Sequence, residues 1–286
     1  MTFWQGLVLG AVQGIAEWLP VSSEGINTLI LLNFFQKTPA EAVLISIWLH
    51  TGTVLAALVY FRKDVMAILG NLPQYFKRLG TGNRSEWDTI TTFLIIASLL
   101  TGIIGAPMII LGLNQEEVLN DNLITLTAGL TVTFTMASIA MAVIGIFLIV
   151  TGLLQKYAAR VSGTKTRVGI KDAILLGVVQ AFSVLPGLSR SGLTVSALLF
   201  RGCEARYAIR MSFLMSIPVL LAAVVGLGVI GGVDFSPAYL GGTVTAFLFG
   251  ILTVGALLRI ANRIQFWKFC FVLGGLSFLP LVIENL

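Results

Sequence analysis

Charged residues are scarce in this sequence. They make up 11% of its 286 residues, against 57% hydrophobic residues, whereas a soluble domain carries roughly a quarter charged residues. The mean hydropathy is +0.95, and the apolar residues come in runs of about 20, each long enough to cross ~30 Å of hydrocarbon as a helix. This composition excludes a soluble globular domain and predicts a polytopic membrane protein in which the whole chain, 1–286, forms a single membrane domain.

Cysteine and histidine are nearly absent. The two cysteines, Cys203 and Cys270, fall in or near apolar segments without metal-ligand spacing, which argues against a disulfide framework and a zinc site. The single histidine, His50, lies in an apolar segment, where an imidazole is more often a hydrogen-bonded core residue than a catalyst. The N-terminus lacks the basic region and cleavage site of a signal peptide, and we therefore expect it to be mature sequence.

Six stretches have the length and the bounding charges of membrane-spanning helices. They cover about 42–61, 90–113, 127–154, 209–232, 239–258 and 268–284. Basic and non-basic loops alternate between them, and 16 of the 18 Lys and Arg fall on one side. The positive-inside tendency assigns that side to the cytoplasm. Segment 62–88 is therefore predicted to be cytoplasmic, and segment 114–125 to lie outside.

Two further apolar stretches, 3–35 and 172–200, are each broken near the middle by Pro, Ser and Gly. The separate pieces are marginal or too short to cross a bilayer. Non-helical backbone is tolerated at membrane depth where protein or a water-filled cavity covers it. If each stretch enters and leaves on the same side, the alternation of loop charge is preserved. We therefore predict two re-entrant helical hairpins.

The two hairpins resemble each other in sequence. Residues 9–25 read LGAVQGIAEWLPVSSEG and residues 176–192 read LGVVQAFSVLPGLSRSG, a weak but extended internal duplication. Three spans separate the two units, and an odd number inverts the second relative to the membrane. The sequence thus predicts an all-α, inverted-topology repeat: repeat 1 at about 1–113, a connecting span at about 127–154 and repeat 2 at about 172–286. In such proteins the broken segments meet near the midplane and form the substrate site.

Three ionisable residues, Glu17, Glu24 and Arg190, fall inside these hairpins. A charged group at the bilayer centre costs about 2.5 to 3.5 kcal/mol on insertion scales, and is therefore a functional candidate by default. Serines 22, 23, 189 and 191 accompany them. The neighbouring glycines provide permissive backbone for an anion cradle at helix N-termini, and the guanidinium fork matches phosphate oxygens. A structural ion pair between the hairpins is the alternative interpretation.

At these residues the sequence resembles a known family. PGLSRSG at 186–192 resembles the PGxSRSG signature of the bacitracin-resistance family of undecaprenyl-diphosphate phosphatases, and 13–25 is similar to that family's (E/Q)xxxE pattern running into Pro-x-Ser-Ser. The likeness continues through LHTGTVLA at 49–56 and SFLMSIP at 212–218 and covers nearly the whole chain. It implies an enzyme, a phosphoric anhydride hydrolase that converts a polyprenyl diphosphate to the monophosphate and recycles the carrier lipid for cell-wall or glycan synthesis.

The resemblance also implies roles for individual residues. Gln13 and Glu17 fill the two positions of the acidic motif, and Ser22 and Ser23 are its serine pair. Ser189, Arg190 and Ser191 form its phosphate-binding turn. Gly187 and Gly192, which supply permissive backbone beside that turn, are also predicted to bind substrate.

One motif position departs from the family. Its members commonly continue Pro-x-Ser-Ser with Thr or Ser, Gly and then His, whereas this chain has Glu24, Gly25 and Ile26. A buried carboxyl group can exchange protons near neutrality. We therefore expect Glu24 to replace the missing histidine as the acid–base group, and Glu24→Gln to lower activity more than His50→Ala.

A mechanism follows for the remaining residues. Arg190 and the turn N–H groups would hold the diphosphate and stabilise the charge that develops on the transferred phosphoryl group. Ser23 would be the nucleophile or would orient a water molecule. Glu17 would be the general base, or would join Gln13 around a divalent cation, Mg²⁺ or Ca²⁺, both of which prefer oxygen ligands. No organic cofactor is expected.

Two other functions remain open on the sequence. Inverted repeats with broken helices are also a transporter architecture, so a transporter or translocase of an anionic lipid or small anion would suit the same site. A structural or regulatory membrane protein with a degenerate site is the third possibility. The expected partners are the polyprenyl diphosphate lipid and the bilayer of the cytoplasmic membrane, with no nucleic acid. A homodimer is left open, and we favour a site that opens to the outer face.

Overall fold

The computed structural model describes residues 1–79, 85–114, 124–127, 131–134, 136–161, 163–231, 235–260 and 265–283. These residues form twelve α-helices, one short 3₁₀ turn at Phe182–Val184 and one pair of short strands. The helices are α1 (Phe3–Ala16), α2 (Ser23–Asn33), α3 (Pro39–Tyr60), α4 (Arg62–Arg78), α5 (Glu86–Asn114), α6 (Met136–Ala158), α7 (Ile170–Ala181), α8 (Arg190–Phe200), α9 (Ala205–Gly231), α10 (Pro237–Ile260), α11 (Phe266–Leu276) and α12 (Leu279–Ile283). The strands are β1 (Ile124–Thr127) and β2 (Thr131–Phe134), paired antiparallel.

Six helical segments of the described chain are long and apolar enough to cross a membrane. They are Glu41–Tyr60, Glu86–Met108, Ser138–Ala158, Ala205–Gly226, Pro237–Arg259 and Phe266–Ile283. The prediction of an all-α multi-pass membrane protein with six spans is confirmed. The third predicted span, 127–154, is displaced: β2 occupies 131–134 and the helix begins only at Met136, because apolar β-branched residues there are equally compatible with a strand. The last predicted span is divided between α11 and α12 at residues 277 and 278.

The two Pro-containing stretches form helical hairpins, α1–α2 and α7–α8. Their helices have 14, 11, 12 and 11 residues, so each is about 15 to 20 Å long, well short of a bilayer crossing. Both hairpins turn where Pro and Ser interrupt the helical pattern. Their tips approach each other: a Cβ on Gly25 would lie 3.0 Å from the backbone nitrogen of Gly187. Whether the hairpins are re-entrant in a bilayer stays a prediction.

The two halves pack reciprocally. The first hairpin helix, α1, lies along α10, whereas α7 lies along α5, and α3 and α9 contact each other between these pairs. In the predicted duplication α10 corresponds to α5, so each hairpin packs against the span of the other half. Glycines at 6, 10 and 14 let α1 approach the α10 backbone: a Cβ at Gly10 would stand 2.1 Å from the carbonyl oxygen of Gly242. Small residues at such crossings are typical of membrane helices.

One helix is absent from the sequence prediction. Residues 62–88 were expected to be a basic loop, but Arg62–Arg78 form α4. The helix contacts α5 through buried Tyr75 and leaves Met66, Leu69 and Phe76 exposed, the arrangement of a helix that lies in the membrane interface. Most of the predicted outer segment, 114–125, lies outside the described residues. Both cysteines are free and buried.

Candidate active site

Each hairpin turn ends in a serine that caps the following helix. The Ser22 side chain accepts a hydrogen bond from the Gly25 N–H (3.0 Å), and Ser189 accepts one from the Gly192 N–H (3.1 Å). Serine is favoured here because its short side chain satisfies a free N–H of the first helical turn. The second helix of each hairpin therefore begins directly after its serine. The N-termini of both helices, with their positive dipole ends, lie at the contact between the hairpin tips.

The serines also join the two turns. The Oγ of Ser22 accepts a second hydrogen bond, from the Gly187 N–H (3.1 Å). In the opposite direction, Ser189 donates to the Val21 carbonyl oxygen (3.0 Å) and Ser191 donates to the Leu19 carbonyl oxygen (2.8 Å). All three serine side chains lie in the protein interior. The sequence predicts these serines as substrate-binding residues. In the structure their side chains form the hydrogen bonds that hold one motif against the other.

The backbone conformation at position 187 requires glycine. It adopts φ = +100°, a conformation that side chains with a Cβ rarely adopt. A Cβ at this position would also lie 2.5 Å from the carbonyl oxygen of Ile144 on α6. The second motif thus needs glycine both to turn and to pack against the connecting span.

Glu17 is the centre of the site. Its Oε2 atom accepts hydrogen bonds from Gln13 Nε2 (2.9 Å) and Ser23 Oγ (2.7 Å), while its Oε1 atom pairs with the Arg190 guanidinium (2.5 Å). The carboxylate side chain is 3% exposed and the guanidinium 9% exposed. The predicted base, serine and arginine are therefore in direct contact, although 173 residues separate Glu17 from Arg190.

The sequence predicts His50 as a hydrogen-bonded core residue more readily than as a catalyst, and the structure places it beside Glu17. It comes from α3, and its Nε2 atom lies 3.2 Å from Glu17 Oε2. Its Nδ1 atom lies 2.7 Å from the carbonyl oxygen of Ser46, which can only accept a hydrogen bond, so Nδ1 carries a proton. The other nitrogen faces a carboxylate oxygen, which also accepts. One further proton must therefore be held between His50 and Glu17.

No signal within the first motif could have revealed this histidine. It lies 33 residues after Glu17, and only the packing of α1 against α3 brings the two together. Ile26, which stands where the family usually has histidine, packs instead against the apolar cluster of Ala16, Val21 and Cys270. The imidazole of the site is thus supplied by a different helix.

Asn27 was not predicted, yet it orients the motif glutamine. Its side-chain amide donates to Gln13 Oε1 (2.7 Å), and this bond fixes which end of the Gln13 amide faces Glu17. Both amide side chains are fully buried. Asn27 follows Ser23 by one helical turn, so the i, i+4 spacing on α2 is the sequence signal that could have identified it.

Glu24 is placed less decisively. It is partly exposed and near enough to His50 and Glu17 to interact with both electrostatically. Within the described part of the chain its carboxylate accepts no hydrogen bond. It is therefore a neighbour of the site rather than a member of its hydrogen-bonded network.

Arg190 retains free binding capacity. One terminal nitrogen pairs with Glu17, whereas the other, Nη1, is buried and has no hydrogen-bond partner among the described residues. A buried charged donor without a partner is costly, and this one lies beside the N-terminus of α8, where anions are favoured. An incoming phosphate oxygen would satisfy it.

The two repeats contribute different chemistry. Gln180, the counterpart of Gln13, donates to Thr101 (3.2 Å), and Ser216 stands where the first repeat has His50. The carboxylate, serine and imidazole therefore come from the first repeat and the guanidinium from the second.

The donor set at Glu17 does not match a divalent-cation site in this arrangement. Four side chains already donate to or pair with its two oxygens, and the described residues contain no group of three His, Cys, Asp or Glu that could hold a metal ion. A metal at Glu17 would have to displace Arg190 or His50. The predicted Mg²⁺ or Ca²⁺ stays a prediction.

Comparison with known proteins identifies the family of this chain. The sequence profile of the family described as "Bacitracin resistance protein BacA" matches residues 6–278. A protein of Methanococcoides burtonii named undecaprenyl-diphosphatase is 41% identical over 98% of this chain and 98% of its own length. Proteins with the same name from Haloarcula marismortui and Desulforapulum autotrophicum are 38% and 32% identical; the matches cover 95% and 97% of this chain and 94% and 98% of theirs. The chain belongs to the bacitracin resistance protein BacA family.

Proposed function

We propose that this protein hydrolyses undecaprenyl diphosphate, or a polyprenyl diphosphate of similar kind, to the monophosphate and inorganic phosphate. The observation that carries the proposal is the Ser23–Glu17–Arg190 contact: a hydroxyl and its acceptor lie next to a buried guanidinium with one unpaired nitrogen. The relatives' shared name, undecaprenyl-diphosphatase, supports the same reaction. Its place would be the cytoplasmic membrane, where it would return carrier lipid to cell-wall or glycan synthesis.

Binding would be anchored on the second motif. The terminal phosphate would accept hydrogen bonds from the free Nη1 of Arg190 and from the N–H groups at the start of α2 and α8. A guanidinium and helix N-termini suit phosphate because both supply several N–H donors and positive potential. The exposed apolar faces of the surrounding spans would hold the prenyl chain.

The chemistry would begin at Ser23. Its Oγ would form a bond to the terminal phosphorus as the bond to the bridging oxygen breaks, and that electron pair would leave with the lipid monophosphate. The proton of Ser23 would pass to Glu17 Oε2, 2.7 Å away. Water would then attack the phosphoserine and release phosphate, while Ser23 regains a proton. Arg190 would stabilise the phosphoryl charge in both steps.

His50 would complete the proton path. Because it shares a proton with Glu17, it can stabilise the carboxylate before proton transfer from Ser23 and deliver a proton afterwards, the role of a general acid–base group. We propose that His50, rather than Glu24, supplies the function of the motif histidine that Ile26 replaces.

The test is phosphate release by the purified full-length protein from undecaprenyl diphosphate, with Mg²⁺, with Ca²⁺ and with a chelator. Ser23→Ala should abolish release, whereas Ser183→Ala should leave it unchanged. Ser183 is a suitable control because it is the partly buried serine of the other hairpin and donates only to the Gln180 carbonyl oxygen. Binding of the lipid without phosphate release under all three conditions would refute the proposed hydrolysis.

A further inference from the structure

A second concentration of positive charge lies away from the active site. A cavity of about 360 Å³ opens where α3 ends, α4 begins and α9 begins. Four cationic side chains line it, Arg62, Lys63, Arg206 and Arg210, together with one carboxylate, Asp64. His50 of the candidate active site lies ten residues before Tyr60, the last residue of α3, which lines the cavity. This corresponds to a separation of about 15 Å along the helix. This cavity is therefore distinct from the proposed active site.

The charge in the cavity is not balanced by protein groups. Asp64 pairs with Arg210, but Arg62, Lys63 and Arg206 have no acidic partner among the described residues. Other cations in the basic segments do have one: Arg78 pairs with Asp88 at 2.9 Å. Three cations without an acidic partner around one concavity repel each other, and an anion that enters relieves that repulsion.

The fold brings these cations together. The chain bends at Phe61, so that α4 starts immediately after α3, and α4 begins without a side-chain cap on its free N–H groups. The first turn of α9 adds Arg206 from the other repeat. Loop arginines that merely report membrane orientation need not converge in this way.

The position of the cavity indicates the source of the anion. Three predicted spans end at its rim, Glu41–Tyr60, Ala205–Gly226 and Pro237–Arg259. It therefore lies at the boundary between membrane and water, the depth of lipid phosphates. Exposed apolar residues lead from it into the bilayer on α3 (Leu55 and Val59) and on α10 (Phe249 and Leu252). Its volume is within the range of small-molecule pockets.

We propose that this cavity binds the headgroup phosphate of an anionic membrane lipid on the side that the charge asymmetry assigns to the cytoplasm. The headgroup lies among Arg62, Lys63 and Arg206, and the acyl chains follow the exposed faces of α3 and α10. Anionic lipids are enriched in the cytoplasmic leaflet. The proposal is independent of the phosphatase reaction.

The probe is phosphatidylglycerol added to the detergent-solubilised full-length protein, with bound lipid counted by native mass spectrometry. Phosphatidylcholine with the same acyl chains tests the need for net negative charge, and inorganic phosphate tests a water-soluble ligand. The pocket variant is Lys63→Gln with Arg206→Gln. The matched control is Lys77→Gln with Lys171→Gln, which removes two exposed cations from the same predicted side without touching the cavity.

The pocket variant should bind phosphatidylglycerol about thirty-fold more weakly, because each Lys or Arg near an anionic surface contributes about fivefold. The control variant should bind it as the unmodified protein does. Phosphate release in detergent and the melting temperature should be unchanged in both, which separates this result from any failure of the proposed hydrolysis. An equal loss in both variants, equal retention of phosphatidylcholine, or displacement of the lipid by comparable concentrations of inorganic phosphate would each overturn the proposal.

Discussion

Replacement of His50 by glutamine is the most informative change to this site. Gln13, Ser23 and Arg190 still hold the Glu17 carboxylate after the substitution, so no buried charge loses all its partners. The structural cost is one hydrogen bond, about 1 kcal/mol. Glutamine can donate a hydrogen bond but cannot exchange a proton, and the variant therefore separates the structural role of the side chain from its acid–base role.

The expected loss of turnover is large compared with that structural cost. A positioned acid–base group contributes about 10² to 10⁴ in rate, which corresponds to roughly 3 to 5 kcal/mol of transition-state stabilisation. For Glu24→Gln we expect a loss of less than about tenfold, because the Glu24 carboxylate accepts no hydrogen bond among the described residues and interacts with His50 and Glu17 only electrostatically. The structure thus favours the opposite order from the one that the sequence predicts.

The assay is steady-state phosphate release from undecaprenyl diphosphate as a function of pH. The pH profile of kcat should contain a limb where the His50 imidazole titrates, influenced by Glu17, Glu24 and Arg190 around it, and His50→Gln should lose that limb. The melting temperature should stay close to that of the unmodified protein. If His50→Gln keeps normal turnover and an unchanged pH profile, or if Glu24→Gln is the more damaging change, the assignment of acid–base function to His50 is wrong.

Three other changes test the surrounding structure. Arg190→Lys should lower turnover at least about a hundredfold while the protein still folds, because an ammonium cannot contact Glu17 and phosphate with separate coplanar nitrogens; normal turnover would indicate a purely structural ion pair. Gly187→Ala should reduce both yield and melting temperature, since the new Cβ would lie 2.5 Å from the Ile144 carbonyl oxygen. Asp172→Asn should lower the free energy of unfolding by about 2 kcal/mol at pH 7. The difference in stability between the variant and the unmodified protein should shrink as the pH falls below the ordinary aspartate pKa of 3.8. A difference that is constant with pH would refute its ionic origin.

The sign of the Asp172 effect follows from its environment at the base of the second hairpin. Burial by itself would raise the pKa of this carboxyl group, but hydrogen bonds from Lys165, Arg201 and the Gly169 N–H outweigh burial and lower it. A carboxylate whose pKa is lower in the folded state adds stability above its unfolded pKa and loses it as pH falls through the folded pKa. These bonds join the start of α7 to the end of α8, so they also close the hairpin that carries Arg190.

The sequence by itself determined the membrane class, the number of spans and most residues of the candidate site. Span length and apolar composition are local properties, and the hydrocarbon core imposes them directly on the chain. The sequence also predicted the duplicated motif, because Pro, Ser and Gly mark a broken helix at both places. The sequence did not predict the element boundaries near 127–136 or the helix α4, since short apolar segments and basic amphipathic segments are compatible with more than one structure.

Only the tertiary structure decided which side chains surround Glu17. Glu24 is close to Glu17 along the chain, and proximity in sequence made it the predicted substitute for the missing histidine. His50 is far along the chain but lies 3.2 Å away in space, because α1 and α3 pack side by side. Likewise, the contact between Glu17 and Arg190 depends on two hairpins from opposite halves meeting at their tips. Local sequence fixes where a helix breaks, whereas contacts between distant helices depend on the packing of the whole bundle.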